Sequence, residues 1–434
     1  MRDMTDRPRG PLARIVRNTG WLLSSKGVGA VLSLVYLGLA TRTLGLAGFG
    51  QFTLIVGAAQ TVVALVGFQT WQIIVRYGAA PLAAGDRAGL DDLFLLGLTL
   101  DLAGAVVGCV IVALGMDAFG AYFGWSDALR RDALLFAFVL LLTFHSTPIG
   151  VLRLHDRFRD GALADTLTPV VRLVGALILV AAGPSVSGFL LVWAASEVVT
   201  SLATWVLAHR HQRIAVRDWR WSRLRAVAAR HPGLTRFAAI TNAGYSLSGV
   251  ARQVPTVIVG VFVGTAAAGQ FRLVQQLALG LAKFGDLVAR AMFAEFSRVH
   301  AEATREKLAL LVRKALRLSA IAGAIVIVVV VVAGKPLLGL IAGPAFVPAY
   351  PLLVLMGIAA AINLAGVGFE PTLMAIGGAG TALWMRLATT LLLLGLLALL
   401  LPPFGAIGAG WATIAAAAAG LVLLGGAAWR AVHR

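Results

Sequence analysis

Cysteine is almost absent from this chain, and charge is scarce. The single cysteine, Cys109, excludes an internal disulfide and a cysteine-rich metal site. Charged residues make up 13% of the 434 residues and hydrophobic residues 59%, whereas soluble domains carry about 25% charged residues. A surface this apolar is incompatible with water, so the composition predicts an integral membrane protein.

Acidic residues are the scarcer of the two charged classes. The chain has 37 Lys and Arg against 19 Asp and Glu, a formal net charge of +18. Such an excess can indicate a nucleic-acid-binding protein, but most of the positive charge here lies in short segments between apolar runs, which is typical of membrane topology. We therefore expect contact with membrane lipids and no nucleic-acid partner.

Motifs for catalysis and metal binding are also missing from the sequence. It has no G-x-x-x-x-G-K-[ST] phosphate loop and no H-E-x-x-H zinc motif, and its seven histidines are scattered. The hydrophilic segments are too short for a separate soluble domain. We therefore predict a protein that is not an enzyme, with no catalytic residue, no metal and no cofactor.

Apolar residues form twelve runs, each about long enough to cross the hydrocarbon core, for which a helix needs about 20 residues. The runs are 21–44, 50–73, 93–115, 133–152, 165–183, 186–208, 237–262, 270–293, 315–333, 350–369, 381–401 and 404–427. They predict an all-α integral membrane protein with twelve transmembrane helices in two six-helix lobes, residues 1–208 and 237–434. The basic segment 209–236 between them is predicted to be a cytoplasmic linker, either an interfacial helix or a solvated tether.

Lysine and arginine also predict the orientation of the chain. They are concentrated in the two terminal segments and in alternate loops, whereas the other loops contain only Arg130, Arg131 and Lys335. Because cytoplasmic loops are enriched in Lys and Arg, both termini of this multi-pass chain are predicted to be cytoplasmic.

A short Gly/Ala segment occurs twice. Residues 44–52 read Leu-Gly-Leu-Ala-Gly-Phe-Gly-Gln-Phe, and residues 263–271 read Val-Gly-Thr-Ala-Ala-Ala-Gly-Gln-Phe. The repeat predicts a chain built from two similar halves, each of which begins with a helix–tight turn–helix hairpin.

Polar and charged residues on one face of several predicted spans suggest a water-filled cavity. The predicted polar lining is Asn242, Ser246, Gln253, Gln275, Gln276 and Asp286. The predicted substrate-binding cations are Arg252, Arg272, Lys283, Arg290 and Lys26. Positive charge without equal negative charge would attract phosphate, whose oxygens fit a guanidinium group. The spacing of Lys283, Asp286 and Arg290 suits a self-satisfied structural cluster equally well.

Three acidic residues lie within or at the end of predicted spans, where ionisable groups are costly. Asp101 and Glu197 are candidates for a coupling proton or for an ion pair with an arginine. Glu370 is a weaker candidate of the same kind, because Glu370-Pro371 also suits a simple helix end.

The two hairpin segments carry a family resemblance. Thr41-Arg42-Thr43-Leu44-Gly45 with Gly48-Phe49-Gly50-Gln51-Phe52, and the second-half segment 263–272, resemble the bacterial polysaccharide flippases of the MOP superfamily, which translocate O-antigen or exopolysaccharide precursors. The resemblance implies two six-helix lobes in a V around a central cationic cavity, and alternating access for a lipid-linked oligosaccharide. The related lipid II flippases usually have two more helices than the twelve predicted here. The drug-export branch tends to place acidic residues in its lobes to couple cations, whereas the charge in this chain is mainly Arg and Lys.

The resemblance implies a protein of the bacterial inner membrane that transports an undecaprenyl-pyrophosphate-linked oligosaccharide from the cytoplasmic to the outer leaflet. This transport would serve the synthesis of lipopolysaccharide or another surface polysaccharide. The expected partners are the lipid-linked oligosaccharide and the glycan polymerase or glycosyltransferases of the same pathway. One alternative is a multidrug or small-solute cation antiporter of the same superfamily. An alternative of another class is a membrane glycan polymerase or ligase.

Overall fold

The computed structural model describes residues 11–212, 221–298, 305–366, 369 and 379–433. Within these ranges, side chains are described from residue 27 to 212, from 223 to 281 except 226, and from 317 to 427 except 318 and 379, together with Arg430.

Every regular element in these residues is helical. The elements are α1 (Pro11–Val66), α2 (Thr70–Ala84), α3 (Arg87–Tyr122), α4 (Asp127–Leu142), α5 (Ser146–Leu154), α6 (Phe158–Ala182), α7 (Val186–His211), α8 (Trp221–Arg230), α9 (Leu234–Val263), α10 (Thr265–Arg298), α11 (Arg305–Ala342), the 3-10 helix η1 (Pro344–Ala349), α12 (Tyr350–Ala365) and α13 (Ala379–His433).

Nine segments of the described residues are long and apolar enough to cross a membrane. Two of them, Gly27–Ala84 and Gly380–Ala427, contain a sharp backbone break at Gly45 and Gly405 and therefore hold two spans each. With α10, which is 34 residues long, this gives the twelve spans that the sequence predicts.

Glycine forms the turn in both copies of the repeated segment. Gly45 has φ 65° and Gly264 has φ 108°, values that L side chains rarely adopt. The repeated glycine is therefore required by the backbone, since it reverses the chain between two helices without a loop.

Polar caps begin several of the helices that follow turns. The side chains of the capping residues accept a hydrogen bond from the backbone N–H three residues later, at 2.9, 3.3 and 3.1 Å. These capping residues are Asp86 before α3, Ser126 before α4 and Ser185 before α7.

Two of the predicted spans are interrupted. The predicted span 50–73 breaks at residues 67–69, so that α2 is a separate helix, and the predicted span 133–152 breaks at residues 143–145. The apolar pattern continues through both breaks and does not reveal them. Both are stabilised by polar contacts, which are described below.

The second part of the predicted linker 209–236 is a docked helix and not a tether. Val227 of α8 is buried, and Asp92 of α3 forms ion pairs with Arg223, at 2.7 Å, and with Arg230. Two arginines of the basic linker are therefore paired with a carboxylate inside the protein. The core under this helix consists of Ile73, Leu93, Val227 and Leu234.

The chain divides into two compact units. The first consists of Met1–Leu39 and Val62–Ser246, and the second of Ala40–Thr61 and Leu247–Arg434. The first hairpin thus belongs to the second unit, although it comes from the first half of the sequence. The predicted lobe boundaries at residues 208 and 237 stay a prediction.

Close packing of small residues explains where the first hairpin lies. A Cβ placed on Gly50 would be 2.2 Å from the carbonyl oxygen of Thr265, and one on Gly269 would be 3.0 Å from the Cα of Gly50. A Cβ placed on Gly260 would be 2.4 Å from Cδ2 of Leu54, so the Leu54 side chain fills the space there. The two copies of the repeated segment therefore pack directly on each other at their matching glycines, Gly50 and Gly269.

Candidate functional site

Asp101 is buried in the first unit, where both interrupted helices meet it. Its side chain has 6% exposure. Thr70 at the start of α2 donates its hydroxyl to Oδ1 and Oδ2, at 3.0 and 3.1 Å. Thr147 at the start of α5 donates its hydroxyl to Oδ2 at 2.7 Å and its backbone N–H at 3.1 Å. The N-termini of two helices thus stabilise one carboxylate, which accounts for both helix breaks.

A cavity of about 300 Å³ lies beside this carboxylate. Both breaks form its wall, because residues 67–69 and 143–146 all line it, together with Asp101 and Glu197. Arg153 lines it as well, with its guanidinium carbon 3.9 Å from the centre of the Trp71 ring. The aromatic residues in the lining are Phe68, Trp71, Phe144 and Tyr245.

Glu197 is held in an ion pair. Arg172 of α6 donates from Nη2 to Glu197 Oε1 at 2.6 Å and from Nε to Ser196 Oγ at 2.9 Å. The side chains of both charged residues are less than one fifth exposed. Of the two functions that the sequence left open for Glu197, the structure therefore provides a partner for the ion pair.

Aromatic rings enclose the same pair. The Arg172 guanidinium carbon is 3.6 Å from the centre of the Trp193 ring. Tyr36 of α1 packs against Trp193 and Phe189, with ring centroids 6.3 and 5.9 Å apart. Arg172 is therefore part of a packed structure within the first unit.

Arg272 is the centre of the cationic site in the second unit. It donates from Nη1 to Gln253 Oε1 at 3.0 Å and to Gln275 Oε1 at 3.2 Å. Gln275 in turn donates to the backbone carbonyl of Arg252 at 3.4 Å. The predicted cation Arg272 and the two predicted glutamines thus lie together. Amide oxygens orient the guanidinium group without cancelling its charge.

Two further arginines lie on α9 or contact it. Arg252 is exposed, and its charge acts on Arg272. Arg386 of α13 donates to Ser248 Oγ at 2.6 Å, one helical turn before Arg252 in α9. The sequence assigned no binding role to Arg386, because an arginine early in a span commonly extends its side chain to the cytoplasmic interface.

The remaining predicted cavity residues fall into three groups. Gln276 is exposed in the second unit, whereas Asn242 and Ser246 are half-buried in the first. The side chains of Lys26, Lys283, Asp286 and Arg290, and Glu370 altogether, lie outside the described residues. The binding roles of all these residues stay predictions.

Three important groups in the first unit escaped sequence reasoning. Thr70, Thr147 and Arg153 are not part of any motif, and threonine is common within spans. The segment His145-Ser146-Thr147-Pro148 did carry a signal, since Ser, Thr and an early Pro are typical of helix starts. The predicted apolar run 133–152 continues through this segment and hides the signal.

Sequence comparisons identify relatives across most of the chain. Residues 15–300 match the family described as polysaccharide biosynthesis protein. Inner membrane protein YghQ of Escherichia coli K12 is 28% identical over 345 residues, which is 79% of this chain and 97% of the relative. The region that matches the family, residues 15–300, includes both hairpins and the whole first unit from residue 15.

Solved structures with a similar fold include transporters and a flippase. An inward-facing multidrug resistance MATE family transporter of the MOP superfamily has a TM-score of 0.70 at 17% identity, covering 92% of this chain and 95% of its own. Lipid II flippase MurJ, in an inward closed conformation, has a TM-score of 0.66 at 13% identity, covering 93% and 86%. These similarities confirm the predicted twelve-helix fold.

Proposed function

Because the chain belongs to the polysaccharide biosynthesis protein family, we propose that it is a flippase for an undecaprenyl-pyrophosphate-linked oligosaccharide. It moves this lipid from the cytoplasmic to the outer leaflet of the inner membrane, for the synthesis of cell-surface polysaccharide. The protein is a transporter and not an enzyme. The relative named as a lipid II flippase, which shares the fold, supports a lipid-linked substrate.

The observation that carries the proposal is the way in which Arg272 is held. Its hydrogen-bond partners Gln253 and Gln275 are neutral, so they fix the direction of the guanidinium group and leave its positive charge available. A pyrophosphate supplies the negative charge and the oxygen geometry that a guanidinium group binds best. Arg252 on α9 and Arg386, which binds Ser248 of α9, add further positive charge.

Transport proceeds by alternating access. The phosphates bind at Arg252 and Arg272 while the polyprenyl chain stays in lipid, and the two six-helix lobes rock to expose the headgroup on the other side. In this proposal the lobes are residues 1–208 and 237–434, both termini are cytoplasmic, and the pathway's glycan polymerase and glycosyltransferases are the neighbouring enzymes.

The cation antiporter remains the competing function, and the first unit bears on it. An antiporter needs an acidic group that can exchange a cation. Glu197 has Arg172 as a partner, and Asp101 accepts hydrogen bonds from two threonines. The two acidic candidates that the structure describes are thus engaged within the protein, which favours the flippase.

The proposed function is tested by deletion of the gene in its source organism. We expect lipid-linked oligosaccharide to accumulate in the inner leaflet. Plasmid-borne Arg272→Gln should restore export at least about tenfold less well than the wild type, because the loss of one charged hydrogen bond costs about 1.5–3 kcal/mol. Arg252→Ala should be similarly impaired.

The matched control is Arg131→Gln, because the Arg131 side chain is 73% exposed. This variant should restore export fully. Full rescue by Arg272→Gln would exclude the cationic mechanism. A deletion strain without accumulated lipid-linked oligosaccharide, but with increased drug sensitivity, would support the antiporter instead.

A further inference from the structure

The cavity beside Asp101 has a structural origin that points to a ligand. Interrupted helices are costly in a membrane, because each break frees backbone groups that must find other partners. They occur where a polar site is built near mid-membrane. Here two breaks, at 67–69 and 143–145, lie against one cavity. Neither the phosphate site nor the hairpins account for it.

The charges that line the cavity balance. Asp101 and Glu197 are negative, Arg153 is positive, and Arg172 compensates Glu197. A free anion would meet two carboxylates there, and a free cation would meet Arg153. The described residues contain no cluster of three acidic, His or Cys side chains that could hold a metal. A neutral ligand with many donors and acceptors fits this lining better than an ion does.

The shape and aromatic content of the lining indicate which neutral ligand. Four aromatic side chains line the cavity alongside Gln69, His145 and Ser146. Aromatic faces attract the C–H face of a sugar ring, while amide, hydroxyl and guanidinium groups bind its hydroxyls. The volume, about 300 Å³, is at the lower end of the roughly 300–1,000 Å³ that ligand pockets have. It suits a single ring better than a long glycan.

We propose that this cavity binds one glycosyl residue of the lipid-linked substrate. The Trp71–Arg153 stack presents guanidinium N–H groups to the sugar hydroxyls, and Tyr245 supplies an aromatic face with a polar tip. The inference rests on the proposed function, since a glycan must accompany the lipid pyrophosphate. It assigns the sugar to this cavity of the first unit.

The test measures binding of two lipids to the full-length protein in nanodiscs. One probe is sugar-free undecaprenyl pyrophosphate, and the other is the lipid-linked oligosaccharide fraction extracted from the deletion strain. We expect the wild type to bind the glycosylated lipid at least about tenfold more tightly. Trp71→Leu should reduce that preference to about one, with unchanged affinity for the sugar-free lipid.

Three further variants separate binding from folding and from the phosphate site. Ala105→Met fills the cavity from α3 and should also abolish the preference, whereas Trp411→Leu, at an exposed tryptophan, should keep it. Arg272→Gln should weaken the binding of both lipids by the same factor.

A wild type that binds both lipids equally, or a Trp71→Leu protein and an Ala105→Met protein that both retain the preference, would overturn the sugar site and leave the flippase intact. A wild type that binds neither lipid would overturn the proposed function as well.

Discussion

Two partly buried arginines in the two halves of this chain are held in opposite ways. Arg172 is neutralised by Glu197 and covered by Trp193, whereas Arg272 is oriented by two amide oxygens. A carboxylate partner makes an arginine structural, because the pair has little charge left for a ligand. Amide partners keep the charge available. The type of partner therefore decides which arginine keeps its charge available for a ligand.

Removal of one member of the Arg172–Glu197 pair should destabilise the protein. Glu197→Ala leaves a desolvated guanidinium group without its carboxylate, which costs about 3–5 kcal/mol. We expect a clear drop in Tm when thermal unfolding of the purified protein is followed by fluorescence. The double variant Arg172→Met with Glu197→Leu should recover most of the loss. An unchanged Tm in Glu197→Ala would show that the pair contributes nothing.

At the level of elements, polar groups determine where helices break and where the linker docks. Asp101 gathers the N-termini of α2 and α5, and Asp92 binds two arginines of α8. In each case one buried carboxylate holds a helix end or a helix face that hydrophobic packing alone would not fix. Both carboxylates belong to α3, which thereby organises the first unit.

The docking of α8 depends on Asp92. Asp92→Asn removes the charge that binds Arg223 and Arg230, so the basic helix should detach more often from α3. We expect limited trypsin digestion at these arginines to become about tenfold faster, which corresponds to about 1.4 kcal/mol. The control is Asp127→Asn, since the Asp127 side chain is 94% exposed in its pair with Arg130. Equal digestion of the Asp92→Asn protein and the wild type would refute this role.

For the whole molecule, the two halves share a pattern of turns. Each half uses a glycine with positive φ in its first, second and third hairpin turn, and the six glycines are Gly45, Gly124, Gly183, Gly264, Gly343 and Gly405. The sequence showed the repeat only in the first of these turns. The backbone shows it in all three, which supports a chain built by duplication.

Packing between the two copies of the first hairpin should be essential for transport. In Gly50→Ala the new methyl group would be 2.2 Å from the Thr265 carbonyl oxygen, so the backbones must separate. We expect complementation of the deletion strain to fall at least about tenfold, as overpacking costs about 1–3 kcal/mol.

Gly57→Ala is the matched control for this substitution. Its Cβ would meet only ordinary contacts, the nearest at 3.7 Å from a Val257 side-chain carbon, and it should complement normally. Membrane levels of both variants are compared by immunoblot. Full complementation by Gly50→Ala would mean that close hairpin packing is not required.

The sequence by itself determined the membrane class, the twelve spans and the duplicated plan. These follow from hydrophobicity, which acts residue by residue, and from a local motif that needs glycine for its turn. The sequence also selected Arg272, Gln253 and Gln275 as neighbours on helix faces. It could not identify their hydrogen bonds, because these join different helices.

Only the tertiary structure decided which polar groups meet. The pairing of Arg172 with Glu197, the two helix N-termini at Asp101, and the transfer of residues 40–61 to the second unit all depend on contacts between distant segments. An apolar run looks the same whether or not a helix breaks inside it. The energy of a buried polar group depends on its partner, and the fold alone supplies that partner.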